Sequence, residues 1–317
     1  MCYERGIIVH PEDLTVQWLD WMEEANLNLL GLHPVGGIQA HLSLQQAIDR
    51  HAQAPFRALL DNAQARGIQV EYEAHVMRWL LPEERFSAVP EWFRMDENGL
   101  RVPDFNACAS NREALAYIAE KTALLARLLA TGSHRYLYWL DDVKGCYCHC
   151  PQCMELSPSD QQLAILNAML EGLRSVDSQA SLCYIAYHDA LKAPQTVRPA
   201  NGIFLEYAPI EKNHHRAICD PHCPTNVQQA SVLPDLLACF GSRGSRVLEY
   251  WMDNSLFSNW TKPPKSFVLD ESVMRQDVSY YRSLGFETLT SFGCYLGPDY
   301  QALYGIPPLK QYGVLIR

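Results

Sequence analysis

The chain lacks long apolar runs and an excess of basic residues. No apolar run approaches the ~18 residues that a membrane-spanning helix needs, and residues 1–5 do not begin an apolar secretion segment. Lysine and arginine number 26 against 36 acidic residues, a net charge of −10. An acidic surface is unsuited to nucleic acid or anionic membrane. These absences predict a cytoplasmic protein that acts on a small neutral or cationic molecule.

Linkers, low-complexity tracts and composition shifts are also missing, so residues 1–317 are predicted to form a single domain. A hydrophobic fraction of 48% with 20% charged residues is typical of a globular protein with a large core. A (β/α)₈ barrel is a common single domain of this length.

Short apolar segments alternate with amphipathic ones along the whole chain. Strands are predicted at 6–10, 29–33, 68–76, 136–140, 182–187, 203–207, 247–251 and 286–290. Helices are predicted at 14–25, 56–65, 114–130, 160–176, 227–239 and 273–284. The pattern predicts an α/β fold, a (β/α)₈ TIM barrel, with a long inserted loop at 78–111 and a cysteine-rich loop at 143–158. Right-handed crossovers then bring the C-terminal ends of all strands to one face.

The adjacent carboxylates Asp141 and Asp142 follow the fourth predicted strand. Each would cost several kcal/mol if buried without a partner. Acid/base chemistry at the mouth of a barrel explains the pair, because one neighbour can hold a proton while the other stays charged. The alternative is that both carboxylates only cap a helix or stabilise a turn.

Other polar and aromatic side chains occur at or just after the predicted strands. Carboxylates can hold sugar hydroxyls and flat rings can stack on a pyranose, so this set predicts a saccharide site. The alternative is that the aromatic residues merely cap the barrel core. The candidate substrate-binding residues are His10, His33, Glu73, His75, Tyr187, His188, Glu206, Tyr207, Tyr250, Trp251, Asp253 and Asn254.

Eleven cysteines are unusual for a chain predicted to be cytoplasmic, where thiols stay reduced. Cys148, Cys150 and Cys153 have the spacing C-x-C-x-x-C, which suits a structural zinc site. Cys223, after the sixth predicted strand, is the candidate fourth ligand. The alternatives are reduced cysteines in a stiff loop, a local disulfide, or a catalytic metal held by His214, His215 and His222.

Three stretches of the sequence resemble a known family. They are 75–82, 139–142 together with 148–153, and 249–254. They are similar to a bacterial glycosidase-like barrel family long catalogued as a domain of unknown function, some members of which are endo-β-N-acetylglucosaminidases. The resemblance implies a glycoside hydrolase. Members commonly carry a further N-terminal domain and a secretion signal, which this sequence does not show, so a small imported saccharide is the expected substrate.

The chain more distantly resembles O-GlcNAcases and β-hexosaminidases, which carry paired acids after strand four and a Trp with Asp or Asn after strand seven. In those enzymes the substrate's acetamido oxygen is the nucleophile. The resemblance implies that Asp141 orients the acetamido nitrogen, and that Asp142 protonates the leaving oxygen and then activates water. It also implies an acetamido pocket and hydroxyl contacts, formed by Tyr187, Trp251, Asn254 and Asp253. No cofactor is expected for catalysis.

Three other functions stay open from the sequence. A retaining glycosidase would pair Asp142 with Glu249 as a catalytic nucleophile, the carboxyl groups ~5–5.5 Å apart, and Glu206 could play a similar part. A non-catalytic barrel would bind a saccharide without cleaving it. A zinc-dependent hydrolase of an ester or amide would lose turnover with chelators.

Overall fold

The computed structural model describes residues 3–317. Within these residues, eight parallel strands pair in chain order and close into a barrel, with the first strand also paired to the last. The fold is therefore the predicted (β/α)₈ TIM barrel. The strands are β1 (Glu4–Val9), β2 (Leu29–Leu32), β3 (Gln69–His75), β4 (Arg135–Trp139), β5 (Ser181–Ala186), β6 (Ile203–Tyr207), β7 (Arg246–Glu249) and β8 (Thr288–Phe292).

Helices cover the outside of the barrel, and several begin at a side chain that accepts a backbone N–H. Ser157 and Asp270, for example, accept from the N–H groups of Asp160 and Val273. The helices are α1 (Val16–Glu24), α2 (Ala40–His51), α3 (Ala54–Ala65), α4 (Met77–Leu80), α5 (Arg112–Leu128), α6 (Pro158–Arg174), α7 (Pro224–Ala230), α8 (Leu233–Phe240), α9 (Asn254–Phe257), α10 (Glu271–Ser283), α11 (Pro298–Tyr304) and α12 (Leu309–Leu315).

Alternation along the strands divides the core into two layers. Ile7 and Val9 of β1 belong to the large apolar cluster between strands and helices, whereas Ile8 between them belongs to a smaller cluster inside the barrel. On β4, Leu137 and Trp139 point inward in the same way. This alternation decides which residues near a strand end can reach the mouth of the barrel.

The predicted helices differ from the structure in two respects. The single helix predicted at 227–239 is two helices, α7 and α8, and Pro234 lies in the first turn of the second. Helices α2, α4, α9, α11 and α12 were not predicted. No helix in residues 3–317 is both long and apolar enough to cross a membrane.

Candidate active site

A cavity of about 560 Å³ opens at the C-terminal ends of the strands. Its wall combines histidines, aromatic rings, a glycine pair and a carboxylate. Among the cavity-lining residues of the chain from Tyr3 onward, Asp142 is the only acid. The lining residues with polar or aromatic side chains are His10, His33, His75, Trp139, Asp142, Tyr187, His188, Tyr250, Ser255, Trp260, Phe292, Cys294 and Tyr295.

The carboxylate of Asp142 is held by neutral donors. Its Oδ1 accepts from the Tyr187 hydroxyl at 2.9 Å, and its Oδ2 accepts from the Gly37 N–H at 3.1 Å. The nearest cationic candidates are the Nε2 atoms of His188 and His75, 3.9 and 4.0 Å away. The side chain keeps 25% of its surface exposed. Asp142 is therefore a carboxylate at a cavity wall without a lysine or arginine partner, and it is available for proton transfer.

Asp141 does not line the cavity. Its Oδ2 accepts from the Asn106 N–H at 2.8 Å and its Oδ1 from the Arg78 N–H at 3.3 Å, while its own N–H donates to Asn106 Oδ1 at 2.9 Å. Burial raises its pKa to about 6, although the two backbone hydrogen bonds favour the charged form. Strand β4 ends at Trp139, so the alternation of side chains along the strand does not extend to the two aspartates. Asp142 lines the cavity, whereas Asp141 bonds to backbone N–H groups beside it.

Three cavity histidines have their tautomers fixed by the backbone. The Nδ1 atoms of His10, His33 and His75 lie 2.8, 2.8 and 2.5 Å from the carbonyl oxygens of His33, Glu73 and Leu140. A carbonyl can only accept, so each Nδ1 carries a proton, and the Nε2 of each ring is left for other partners. Burial lowers the pKa of His33 well below its usual value, and the neighbouring His10 and His75 lower it further. The His33 ring is therefore neutral near pH 7, and its Nε2 is an acceptor.

Tyr187 and His188 close the side of the cavity next to Asp142. Burial raises the pKa of the Tyr187 phenol well above its usual value, and the nearby Asp142 charge adds to that effect. The phenol therefore stays protonated and donates to Asp142 at neutral pH. His188 has a φ of 47°, a left-handed conformation that is uncommon for a residue other than glycine. Its Nδ1 lies 3.1 Å from Glu211 Oε1.

The structure corrects the prediction that Glu73 and Glu206 bind substrate. Both point into the barrel below the cavity, are fully buried, and pair with Arg246 at 2.7 and 3.0 Å. Glu71 pairs with the same guanidinium at 2.7 Å. Burial raises the pKa of Glu73 to about 8 and raises that of Glu206. This group of three glutamates and Arg246, the inner ion layer, fills the barrel core and leaves no carboxylate free for substrate.

Glu249 is also corrected, because it points out of the barrel. Its neighbours Leu248 and Tyr250 face inward, so alternation turns Glu249 toward α10. There it is fully buried, 2.6 Å from Lys212 Nζ and 2.6 Å from the Tyr281 hydroxyl. An ion-paired carboxylate under the helices cannot attack a sugar in the cavity.

Four more predicted substrate-binding residues have structural contacts instead, so these predictions are also corrected. Tyr207 and Trp251 face the helices: the Tyr207 hydroxyl donates to Gln229 O and the Trp251 indole to Asp277. Asp253 caps α9 by accepting from the Ser255 N–H, and Asn254 Nδ2 donates to Lys265 O. None of the four lines the cavity.

Several lining residues were not predicted. A Cβ on Gly36 would lie 2.9 Å from Asp142 Oδ2 and 3.2 Å from His75 Cδ2, so only glycine fits beside the carboxylate. Trp139 and Phe292 line the floor, and Trp260 stands at the rim with 63% of its surface exposed. The Gly36-Gly37 pair, a few residues after β2, was the available sequence signal for this side of the cavity.

Four buried cysteines come together beside this face. The sulfur atoms of Cys108, Cys148, Cys150 and Cys153 all lie within 4.8 Å of one another, and Cys108 Sγ is 3.7 Å from Cys150 Sγ and 3.9 Å from Cys153 Sγ. Four sulfurs that each lie about 2.3 Å from one zinc ion would be separated by nearly the 3.7 and 3.9 Å found here. Disulfide sulfurs, by contrast, lie about 2.05 Å apart. The cluster can therefore hold a zinc ion.

The fourth thiol of the cluster corrects the predicted ligand set. Cys108 supplies it, whereas Cys223 precedes α7 and is not part of the cluster. The alternative of a histidine metal site is corrected too: across residues 3–317 the four thiols form the only grouping of ligand atoms suited to a metal. His214 instead bonds through Nε2 to the carbonyl of Ile210.

Residues 39–230, more than half of the chain, match the family model described as a domain of unknown function, DUF4838. The chain belongs to that family. No curated protein sequence matches the chain.

Solved glycosidase structures share the fold. A mutant O-GlcNAc hydrolase from Thermobaculum terrenum aligns with a TM-score of 0.58 at 12% identity, over 99% of this chain and 59% of that one. The β-galactosidase from Rahnella sp. R3 aligns with a TM-score of 0.56 at 12% identity, over 99% and 56%. A GH20 module of a pneumococcal exo-β-D-N-acetylglucosaminidase aligns at 0.50 and 8% identity, over 99% and 83%. The chain thus spans less than two thirds of the first two proteins, and at these identities the likeness shows the fold alone.

Proposed function

We propose that this member of the DUF4838 family is a glycoside hydrolase that cleaves a small N-acetylhexosaminide or a related glycoside. The observation that carries the proposal is the isolation of Asp142. It is the one acid among the cavity-lining residues of the described chain, and neutral donors hold it between aromatic and histidine side chains.

A single carboxylate favours a mechanism in which the substrate supplies the nucleophile. The usual two-carboxylate scheme needs a second acid across the scissile bond, and Glu206 and Glu249 are both committed to buried cations. An acetamido group on the substrate can attack the anomeric carbon while protonated Asp142 gives its proton to the leaving oxygen. Water then attacks the same carbon while Asp142 accepts a proton from that water, the bond between the anomeric carbon and the acetamido oxygen breaks, and the acetamido group is restored. The O-GlcNAc hydrolase that shares the fold adds support for this substrate class.

The other cavity side chains suit a hydroxyl-rich ring. The neutral Nε2 of His33 can accept a hydrogen bond from a hydroxyl group, and the rings of His10 and His75 stand beside it in the cavity wall. Trp139 or Tyr250 offers a flat face for the apolar side of a pyranose. Asp141 does not reach the cavity wall, so in this proposal it positions the strand end rather than contacting the acetamido group.

The competing proposal is a saccharide-binding barrel without turnover. Purified protein incubated with a panel of chromogenic β-glycosides, including an N-acetyl-β-D-glucosaminide, separates the two. Hydrolysis supports the enzyme, with the N-acetylated sugar expected to be the best substrate. If the sugar raises the melting temperature but no chromophore is released, the protein is a binding module and the hydrolase proposal is wrong.

We also propose that Cys108, Cys148, Cys150 and Cys153 bind one structural zinc ion. All four are buried and lie away from the cavity wall, so the ion would stabilise loops rather than activate water. Elemental analysis of protein purified without chelators should give one zinc per chain, and much less than one would contradict the site. A chelator that abolished turnover at once, with the protein still folded, would instead favour metal-dependent hydrolysis.

A further inference from the structure

The cysteine cluster joins two segments that are far apart in sequence. Cys108 lies in the segment between β3 and α5, whereas Cys148, Cys150 and Cys153 lie in the loop between β4 and α6. The loop follows directly on Asp141 and Asp142. An ion bound by all four thiols would therefore tie the first segment to the loop that carries the carboxylates.

Asn106, two residues before Cys108, is one of the residues of that segment that contact the end of β4. It exchanges two hydrogen bonds with Asp141: Asn106 N–H donates to Asp141 Oδ2, and Asp141 N–H donates to Asn106 Oδ1. Its Nδ2 also donates to the carbonyl of Cys146 at 2.9 Å. We call this arrangement the Asn106–Asp141 clasp. Asn106 is buried and has a φ of 56°, a conformation that asparagine tolerates better than most residues.

The clasp determines the direction of the next residue. With both the N–H and the carboxylate of Asp141 held, the chain turns at the strand end, and Asp142 faces the cavity, where it meets Tyr187 and Gly37. If the clasp opened, the carboxylate of Asp141 would keep only the longer bond from the Arg78 N–H at 3.3 Å, and its carbonyl would still accept from the Val143 N–H at 3.0 Å. Small displacements of an acid/base group lower rates strongly, because proton transfer depends on hydrogen-bond geometry.

We propose that zinc bound by the four cysteines positions Asp142 through the Asn106–Asp141 clasp. Cys108 and Asn106 are positioning residues, and the ion touches neither substrate nor the reacting atoms. The effect on turnover rests on the hydrolase function proposed above. The effect on the clasp does not, because it follows from the contacts alone.

Hydrogen–deuterium exchange on the intact protein tests whether zinc stabilises the Asn106–Asp141 clasp. Zinc-loaded and chelator-treated samples are compared at the peptides covering residues 104–110 and 139–143, with β7 (Arg246–Glu249) as an internal reference. Loss of zinc should speed exchange at both peptides and leave β7 unchanged. Faster exchange restricted to residues 146–153, or protein purified without zinc, would overturn the proposal.

Two variants test whether zinc and the clasp affect turnover. Cys108→Ser should lose zinc, and Asn106→Gly should keep zinc and the left-handed backbone while removing both side-chain bonds. Each should lower kcat by roughly tenfold with little change in KM, within the ~10–100-fold range known for residues that orient metal ligands. Cys239→Ser, a cysteine outside the cluster, is the matched control and should behave as wild type. Full kcat in a zinc-free Cys108→Ser protein, or in zinc-loaded Asn106→Gly, would contradict the coupling.

The two proposals fail in different ways. If wild-type protein cleaves no glycoside, the hydrolase proposal fails, and the exchange measurement still decides whether zinc holds the clasp. If wild type cleaves glycosides but chelation changes neither exchange nor kcat, only the coupling fails.

Discussion

Carboxylates occur both inside the barrel and at its mouth, and the two regions treat them differently. In the inner ion layer, Glu71, Glu73 and Glu206 share the buried Arg246 at 2.7 to 3.0 Å. At the mouth, Asp142 has only a phenol, a backbone N–H and two histidines near it. The comparison teaches that a carboxylate near a strand end is a catalytic candidate only when no buried cation neutralises it.

The outer side of the barrel repeats the first arrangement. Lys212 bridges Glu249 and Asp277 at 2.6 Å each, with all three side chains essentially buried. Burial alone would lower the pKa of Lys212, but the two carboxylates raise it above its usual value. A charged lysine thus balances Glu249 under the helices, as Arg246 balances the inner glutamates.

The largest effect is expected when the charge of Asp142, the carboxylate at the mouth, is removed. Asp142→Asn should lower kcat by about 10²–10⁴-fold, because it removes the proton donor and acceptor. Its melting temperature should stay near that of wild type, since no cation loses a partner. Steady-state kinetics and thermal unfolding measure both effects.

The control for that variant is Asp189→Asn, a carboxylate of the same face that accepts only from the Gly145 N–H and does not line the cavity. It should keep wild-type kcat. Equal losses in both variants would mean that a general change at the mouth, and not proton transfer by Asp142, causes the loss.

The opposite change is expected in the inner ion layer. Arg246→Met leaves the buried Glu73 and Glu206 without their cation, and leaves Glu71 only the longer pair with Arg135 at 3.6 Å. It should lower the free energy of unfolding by about 3–5 kcal/mol. Chemical denaturation measures the loss. The exposed pair between Arg216 and Asp220 is the reference, and Arg216→Met should lose less than ~1 kcal/mol. Similar small losses in both variants would show that the layer does not stabilise the barrel.

A smaller effect is expected at the glycine beside Asp142. Gly36→Ala would place a Cβ 2.9 Å from Asp142 Oδ2 and displace that carboxylate. We expect kcat to fall by about tenfold, a milder loss than on removing the acid itself, because the group stays present but misplaced. Unchanged kinetics would show that Asp142 does not need this position.

The smallest effect concerns the titration of Asp141. Its pKa is raised to about 6 in the folded protein, above the ordinary value of about 3.9. The folded state therefore binds this proton more tightly, and the Asp141 contribution to stability falls as pH rises from about 4 to about 6. Carbon-13 NMR of the aspartate carboxyl groups should show a midpoint near 6 that is absent in Asp141→Asn. A midpoint near 4 would contradict the burial argument.

The barrel could be predicted from sequence because its strands and helices alternate clearly. The prediction of site residues failed where the direction or the tertiary partner of a side chain decides whether it reaches the cavity. Adjacent residues on a strand face opposite sides, so Tyr250 lines the cavity while Glu249 and Trp251 face helices. Glu73 and Glu206 face inward but lie one layer too deep, beside Arg246, a partner 40 or more residues away. Cys108, and not Cys223, is the fourth thiol of the cluster because the long segment after β3 folds back onto the cysteine-rich loop. Local sequence spacing does not determine this fold.

The most direct test of the account is a crystal structure of the protein with N-acetylglucosamine bound. We predict the sugar in the cavity against Trp139 or Tyr250, with its anomeric oxygen within hydrogen-bond distance of Asp142 and no contact to Glu206 or Glu249. A sugar bound outside this cavity, or one whose anomeric carbon faces either of those glutamates, would contradict the central claim.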